Sequence, residues 1–277
     1  MRAAVLGSPI RHSLSPTLHQ AAYQALGLRG WSYEAIECDE ARLPGLLDGC
    51  GPDWVGLSLT MPLKRAVLPL LDAADPLVTD VGCANTVIFA AGARQGHNTD
   101  VCGMVTALAA AGVSGCGRVL ILGAGATACS ALAAVRELGA GEVTAAVRDP
   151  ARAGDLLAAA ARLGMTIRLA EFGPGYPAYR CHLLISTVPA GAADGYAQRV
   201  LRGDLVPSAV LDVAYHPWPT ALAAAAEGTG AAVIGGFELL LHQAARQVEL
   251  MTARRAPTAA MRRAGLAELR RRSGGAA

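Results

Sequence analysis

Short apolar runs alternate with helix-period segments over the first hundred residues. Ala3–Leu6, Ser32–Ile36, Trp54–Leu59 and Thr86–Phe89 have the length and composition of strands. Between them, apolar positions at helical spacing predict helices near Pro16–Leu26, Glu40–Leu47 and Lys64–Leu71. A helical segment from Asp100 to Ala111 then leads to a turn at Gly112–Gly117, and a second series of strands begins. Its members are Val119–Leu122, Val143–Val147, Thr166–Leu169, Leu183–Ser186, Val210–Val213 and Ala232–Ile234. Such alternation implies an α/β fold with a mostly parallel sheet. The expected division is a first domain over 1–102, a second over 103–235, and C-terminal helices over 236–277. No strand follows those helices, so they are expected to pack back on the first domain and make it discontinuous. There are no internal repeats and no low-complexity linker.

Composition narrows the class. A chain of 277 residues suits two domains with a large core. The formal net charge of +2 gives no strong pull toward nucleic acid or membrane. With 3 Trp, 6 Tyr and 3 Phe, the chain is also poor in platforms for stacking single-stranded bases. Seven cysteines are spread singly, with no C-x-x-C, so zinc and dithiol chemistry are not expected and no metal is assigned. They read as small buried residues in a reducing compartment. The N-terminus runs straight into AAVLG without a signal-like segment, and no apolar run has the length of a membrane span. A cytoplasmic location is expected. Arg270, Arg271 and Arg272, after Arg262 and Arg263, read as the solvated end of a last helix.

One turn carries cofactor chemistry. Gly123-Ala124-Gly125-Ala126-Thr127-Ala128 fits G-x-G-x-x-G/A between an apolar strand and an amphipathic helix. Gly123 suits a tight turn, Gly125 a close approach of pyrophosphate, and Ala128 close helix–strand packing. The amides of Ala126 and Thr127 at the helix start favour negative charge. After the next strand, where an acidic residue favours NAD, the chain reads Val147-Arg148-Asp149-Pro150-Ala151-Arg152. Arg148, with Arg152 one turn into the following helix, suits a 2′-phosphate and hence NADP. Asp149 equally suits a cap on the helix that Pro150 starts, and NAD stays possible.

The first domain holds the other polar candidates. Lys64 is the single lysine among 24 basic residues. An amine can release and regain a proton where a guanidinium cannot, so Lys64 is either an acid/base group or a survivor of an arginine-rich bias on a solvated helix start. In GSPIRHSLSP, Ser15 before Pro16 reads as a helix N-cap. Ser13 and Ser15 together would offer hydroxyls to a carboxylate at that helix N-terminus. Asn85 lies in GCANT, and Asp100 opens the helix after GHNT, where a lone carboxylate is ordinarily a helix-start charge.

Taken together, the segments GSPIRHSLSPTLH, GLSLTMPLK, GCANT, GHNTDVCG, GAGAT, RDPAR, STVPAG, DVAYHPWPT and GGFELLLHQA resemble the shikimate dehydrogenase family, in order and along nearly the whole chain. The resemblance implies an N-terminal α/β substrate domain, a Rossmann-type dinucleotide-binding domain, and C-terminal helices that complete the former. It implies reversible NADP-dependent oxidation of shikimate to 3-dehydroshikimate, a step in aromatic amino-acid and chorismate biosynthesis, on a monomer or homodimer. Ser13 and Ser15 match the family's carboxylate serines, with Tyr215 nearby. Thr60, Asn85, Asp100 and Gln243 match residues that hold ring hydroxyls. Lys64 and Asp100 match the catalytic pair, and Val213 and Gly236 match positions beside the nicotinamide. A cleft between the domains would bring the two ligands together.

Three positions depart from the family pattern. Val147-Arg148-Asp149 stands where Asn-Arg-Thr is frequent, Ser186-Thr187-Val188-Pro189 where Asn-Ala-Thr is common, and Leu239 where methionine is frequent. The alternatives to be separated are an NAD-dependent quinate/shikimate dehydrogenase and a nucleotide-binding regulator without turnover.

Overall fold

The computed structural model describes residues 1–171 and 179–274. They fall into two units. The first comprises Met1–Thr79, Cys83–Thr99 and Leu240–Ala277, and the second Asp80–Gly82 and Asp100–Leu239.

The first unit opens with β1 (Arg2–Gly7), α1 (Ser15–Ala25), β2 (Ser32–Glu37), α2 (Leu43–Asp48), β3 (Trp54–Leu59) and α3 (Leu63–Ala66). The helix expected over Lys64–Leu71 is this single turn followed by a 3₁₀ turn at Leu68–Leu70. Pro69 lacks the N–H that an α-helix would need there, which accounts for the shortening. Next come β4 (Ala73–Ala74), α4 (Pro76–Val81), β5 (Thr86–Ala90) and β6 (Ala93–His97). The sheet order is β2-β1-β3-β5-β6-β4. β1 pairs in parallel with β2 and β3, whereas β5 is antiparallel to both β3 and β6. The reversal is made by a two-residue hairpin at Ala91 and Gly92, with φ of 51° and 79°. Positive φ at both central residues is the turn whose twist matches paired strands. β6 reads ARQGH, which an apolar pattern does not reveal, and the two-residue β4 is equally silent.

The second unit contains α5 (Asp100–Ala110), β7 (Arg118–Leu122), α6 (Ala126–Glu137), β8 (Glu142–Val147), α7 (Gly154–Arg162) and β9 (Ile167–Glu171). Then follow β10 (Tyr179–Ser186), α8 (Asp194–Arg202), β11 (Leu205–Asp212), α9 (Ala221–Gly228) and β12 (Ala232–Gly235). All five strand pairs are parallel, in the order β12-β11-β10-β7-β8-β9. This is the doubly wound order of dinucleotide-binding folds. Leu120, Leu122, Leu184 and Val210 of the strands pack with Tyr196, Val200 and Leu222 of α8 and α9. Finally α10 (Gly236–Thr252) begins at the end of this unit and carries the chain back to the first, and α11 (Thr258–Gly274) packs on α1.

The two faces of the first sheet differ. One is apolar: Leu6, Leu57, Leu59 and Val87 meet Leu43 and Leu47 of α2 and Leu63 of α3. The other carries a run of buried polar side chains beneath α1 and α10. Tyr33 Oη donates to Ser58 Oγ at 2.6 Å, and Ser58 Oγ to Gln247 Oε1 at 2.8 Å. Gln247 Nε2 donates to Thr86 Oγ1 at 2.9 Å, and Thr86 Oγ1 to Asn85 Oδ1 at 2.9 Å. Gly56 lets α10 lie close: a Cβ there would meet the Val87 carbonyl at 2.7 Å and Met251 Cε at 3.1 Å.

His19 of α1 is fully buried against this run. Its ring stacks on Tyr33 with centroids 3.9 Å apart, and its Nε2 lies 3.3 Å from Gln247 Oε1. Burial drives its pKa down to about 3. The folded protein therefore holds His19 neutral, while the unfolded chain takes up a proton below about pH 6.5. Stability from this residue is full above that pH and is lost as pH falls toward 3. At pH 5 the loss is about 2 kcal/mol. Urea unfolding at pH 7 and pH 5 should show it, and His19→Gln should remove that part of the difference. Equal pH dependence in the two proteins would mean that His19 is not buried neutral.

Candidate active site

β3, α3 and the start of β5 meet through the backbone. Leu59 N–H donates to Asn85 O at 2.8 Å, and Ala84 N–H to Lys64 O at 2.8 Å. Thr60 N–H donates to Leu6 O at 2.9 Å, and Thr60 O accepts from Leu63 N–H at 2.8 Å. Thr60 and Lys64, both half-buried, are thus set beside the segment that carries Asn85. Asn85 is buried, and its amide is oriented by Thr99: Thr99 N–H donates to Oδ1 at 2.8 Å, and Nδ2 donates to Thr99 Oγ1 at 2.9 Å. Nδ2 also reaches Gln243 Oε1 at 3.3 Å, while Gln243 Nε2 donates to Leu240 O at 3.0 Å. Asn85, Gln243 and Thr99 therefore form one cluster. Asp100, next in the chain, is buried as the first residue of α5. Thr99 is missing from the residues that sequence reasoning selects; its one signal is a polar side chain directly before Asp100 in GHNTD.

The serine loop corrects an expectation. Ser15 does not cap α1: the cap position is Leu14, which makes no side-chain cap bond, and Ser15 is already helical. Ser13 takes the capping task, its Oγ accepting from Ser15 N–H at 3.2 Å. Ser15 is buried. The loop before it is held at both ends. Glu37 accepts from Ser8 Oγ at 2.7 Å and Ile10 N–H at 3.1 Å, and Arg272 donates to His12 O at 2.8 Å. Arg272 is therefore more than part of a solvated helix end, since it and Arg271 also bind Glu268, whose carboxyl they hold well below its ordinary pKa.

In the second unit the candidate cofactor residues follow the C-terminal ends of strands. Gly123 has φ 108°, and a Cβ there would meet Thr187 Oγ1 at 2.7 Å. Thr187 in turn donates to Leu122 O at 2.7 Å. Gly125 is the N-cap of α6, and the space where its Cβ would stand is open. Half-buried Ala124, Ala126 and Thr127 complete a turn whose amides and open face fit a pyrophosphate. Arg148 and Arg152 are exposed after β8. Asp149 Oδ1 accepts from Ala151 N–H at 3.0 Å, capping a 3₁₀ turn at Pro150–Arg152. The α-helix begins only at Gly154, so Arg152 lies in this turn rather than one turn into a helix.

The loop after β11 is tied down by Asp212, the first residue of DVAYHPWPT, which the sequence reading left without a role. Its Oδ2 accepts from Thr220 Oγ1 at 2.7 Å and its Oδ1 from Ala214 N–H at 3.2 Å, while burial raises its pKa. Val213 and Tyr215 sit half-buried in this loop. Gly236 N–H donates to Ala214 O at 3.1 Å, and any Cβ on Gly236 would run into the Val213 carbonyl.

Comparison with known proteins places this arrangement. Residues 5–87 match the shikimate dehydrogenase substrate binding domain, and residues 236–264 the shikimate 5'-dehydrogenase C-terminal domain. A shikimate dehydrogenase (NADP(+)) of Thermus thermophilus is 37% identical over 254 residues, covering 91% of this chain and 92% of its own. The chain belongs to the shikimate dehydrogenase family. The crystal structure of Mycobacterium tuberculosis shikimate dehydrogenase aligns at 41% identity with a TM-score of 0.84, covering 96% of this chain and 99% of that one. A Thermus thermophilus shikimate 5-dehydrogenase, crystallised with NADP(H) and shikimate, aligns at 33% identity with a TM-score of 0.82, covering 96% and 99%. Among the described residues, no helix is long and apolar enough to cross a membrane.

For this shikimate dehydrogenase family member, the two serines are separable by stability. Ser13→Ala removes the acceptor of a helix-start N–H and should cost about 0.5–1.5 kcal/mol. Ser15→Ala keeps that N–H and its acceptor, because the backbone survives truncation, and should cost less. Denaturant unfolding of both single variants measures this, and an unchanged stability in Ser13→Ala would show that its hydroxyl does not cap α1.

Proposed function

We propose that this chain catalyses the reversible, NADP-dependent oxidation of shikimate to 3-dehydroshikimate. The observation that carries the reading is the buried Asn85–Thr99–Gln243 cluster, joined by backbone hydrogen bonds to the segment bearing Thr60 and Lys64. Such a set of oriented amides and hydroxyls suits a ring carrying several hydroxyl groups. Ser13 and Ser15, with Tyr215, are the proposed carboxylate contacts. Thr60, Asn85, Asp100 and Gln243 are the proposed hydroxyl contacts.

Oxidising a secondary alcohol removes a hydride from carbon and a proton from oxygen. Lys64 is the proposed proton acceptor, and Asp100 the carboxylate proposed to hold its amine and the substrate hydroxyl in line. NADP supplies the nicotinamide that takes up the hydride when bound. Gly123, Ala124, Gly125, Ala126 and Thr127 would hold its pyrophosphate, and Arg148 and Arg152 its 2′-phosphate. Val213 and Gly236 are the proposed neighbours of the nicotinamide. The turn of Asp149 toward Ala151 N–H supports NADP over NAD, because that carboxylate already serves the local backbone. On this reading the domains are 1–102 and 236–277 for substrate and 103–235 for cofactor, and the enzyme is a cytoplasmic monomer or homodimer with no nucleic-acid or membrane partner.

An absorbance assay of reduced nicotinamide with shikimate and NADP tests the activity. Repeating it with quinate and NAD tests the alternative specificity, and no turnover with either acid would sink the reading. Lys64→Arg keeps a positive charge but removes the titratable amine, so kcat should fall by about 10²–10⁴-fold with NADP affinity preserved. A variant that melts normally and keeps most of its turnover would reassign the proton. Arg148→Ala should raise the KM for NADP about ten-fold or more and leave NAD kinetics nearly unchanged. Equal losses with both coenzymes would mean that Arg148 supports structure.

A further inference from the structure

Gln247 lies one helical turn after Gln243 on α10, and its side chain is almost wholly buried. It joins two halves of the polar run. On one side its Oε1 accepts from Ser58 Oγ, which accepts from Tyr33 Oη, and lies 3.3 Å from His19 Nε2. On the other its Nε2 donates to Thr86 Oγ1 at 2.9 Å and to Asn85 O at 3.3 Å. The amide orientation is not arbitrary. Asn85 O is a carbonyl and can only accept, so the Gln247 atom facing it must be nitrogen. Thr86 Oγ1, having received that N–H, turns its own proton to Asn85 Oδ1. Asn85 Oδ1 also receives Thr99 N–H, which leaves Nδ2 facing Thr99 Oγ1 and Gln243 Oε1. From Gln247 to Asn85 Oδ1 the donors thus run in one direction, through Thr86.

We propose that Gln247 is a positioning residue for substrate: through Thr86 its amide supplies a second donor, beside Thr99 N–H, that holds the Asn85 amide with its nitrogen toward Gln243. The inference rests on the reading of Asn85 and Gln243 as hydroxyl contacts. Gln247 touches no reacting atom itself.

Gln247→Glu tests it through protonation. A protonated carboxyl still accepts from Ser58 and donates to Thr86, so the run survives. An ionised carboxylate donates nothing, draws the Thr86 proton away from Asn85 Oδ1 and opposes Asn85 O. Burial raises the pKa of an introduced carboxyl into the range where it can be titrated in solution. The titratable groups facing this position are His19 of α1 and Tyr33 of β2, with Tyr23 beside His19. In the wild type burial keeps His19 neutral and raises both tyrosines. His19 Nε2 lies 3.3 Å from the position of the introduced carboxyl, so Gln247→Glu is also measured in a His19→Gln background, where the titration belongs to that carboxyl.

Two measurements on the full chain decide. The KM for shikimate, as a ratio of variant to wild type, should be near one at pH 6 and about three- to ten-fold by pH 9, with the KM for NADP unchanged. Without substrate, the side-chain amide resonances of Asn85 should shift over the same pH range in the variant and stay constant in the wild type. This NMR arm reads the hydrogen-bond run even if shikimate is not the substrate. Gln247→Met, isosteric and unable to donate, should raise the shikimate KM about three- to ten-fold at every pH. Constant Asn85 resonances in folded Gln247→Glu, or a wild-type KM in Gln247→Met, overturn the proposal.

Discussion

A polar group taken out of water must find a partner, and in the first unit that requirement organises an entire face of the sheet. Tyr33, Ser58, Thr86 and Asn85 project from three strands and a strand edge, and the side chain that links them, Gln247, comes from a helix 161 residues away from Thr86 along the chain. Without α10 the amide that links Ser58 and Thr86 would be missing. Apolar packing alone would accept α10 in several registers. The directional bonds, together with the close approach at Gly56, admit one. The same bonds that specify this register hold Asn85 in the cluster with Thr99 and Gln243, so folding specificity and site geometry share one set of atoms.

The second unit solves a different problem, largely at the turns that follow its strands. Its strands are buried on both faces and nearly continuous in apolar residues, as in Arg118–Leu122 and Glu142–Val147. Side-chain chemistry is therefore displaced to the turns that leave the strands. There Gly123 takes a φ few residues tolerate, Gly125 leaves an open face at a helix N-terminus, and Asp149 and Asp212 commit their carboxylates to nearby N–H and hydroxyl groups. Asp212 is the clearest case of a buried carboxylate compensated by local donors, and through Ala214 it determines where Val213 and Tyr215 lie.

Much of this is legible in the sequence, for physical reasons that differ by element. Strands such as Val119–Leu122 announce themselves because burial on both faces leaves only apolar residues. The strand Ala93–His97 does not, because it lies near the sheet edge, where ARQGH is tolerated and its hairpin partner supplies the pairing. Lys64, Asn85 and Asp100 stand out through rarity or motif. Gln247 is a polar residue whose importance is its partners, and partners as distant as Thr86 leave no local trace. Ser15 misleads for a different reason. A serine before proline is a good cap by local chemistry, but α1 already begins at the buried Ser15, and its N–H is met by Ser13.

The lone lysine can now be weighed against its setting. α3 is one turn long, and its Lys64 carbonyl is bonded by Ala84 N–H, the residue before Asn85. Its neighbour is Arg65, so arginine is accommodated one position further along the same turn, and the local backbone imposes no preference for lysine. Everywhere a positive charge suffices, as in the Arg271–Glu268 and Arg94–Asp48 ion pairs, the chain uses arginine. Arginine is also the better partner for carboxylates, being planar, bidentate and permanently charged. Those virtues become a defect only where the group must give up its proton. Retention of the amine at a half-buried position beside the Asn85 segment therefore argues for proton exchange more strongly than rarity alone could. A solvated charge would have had no reason to differ from the other basic residues.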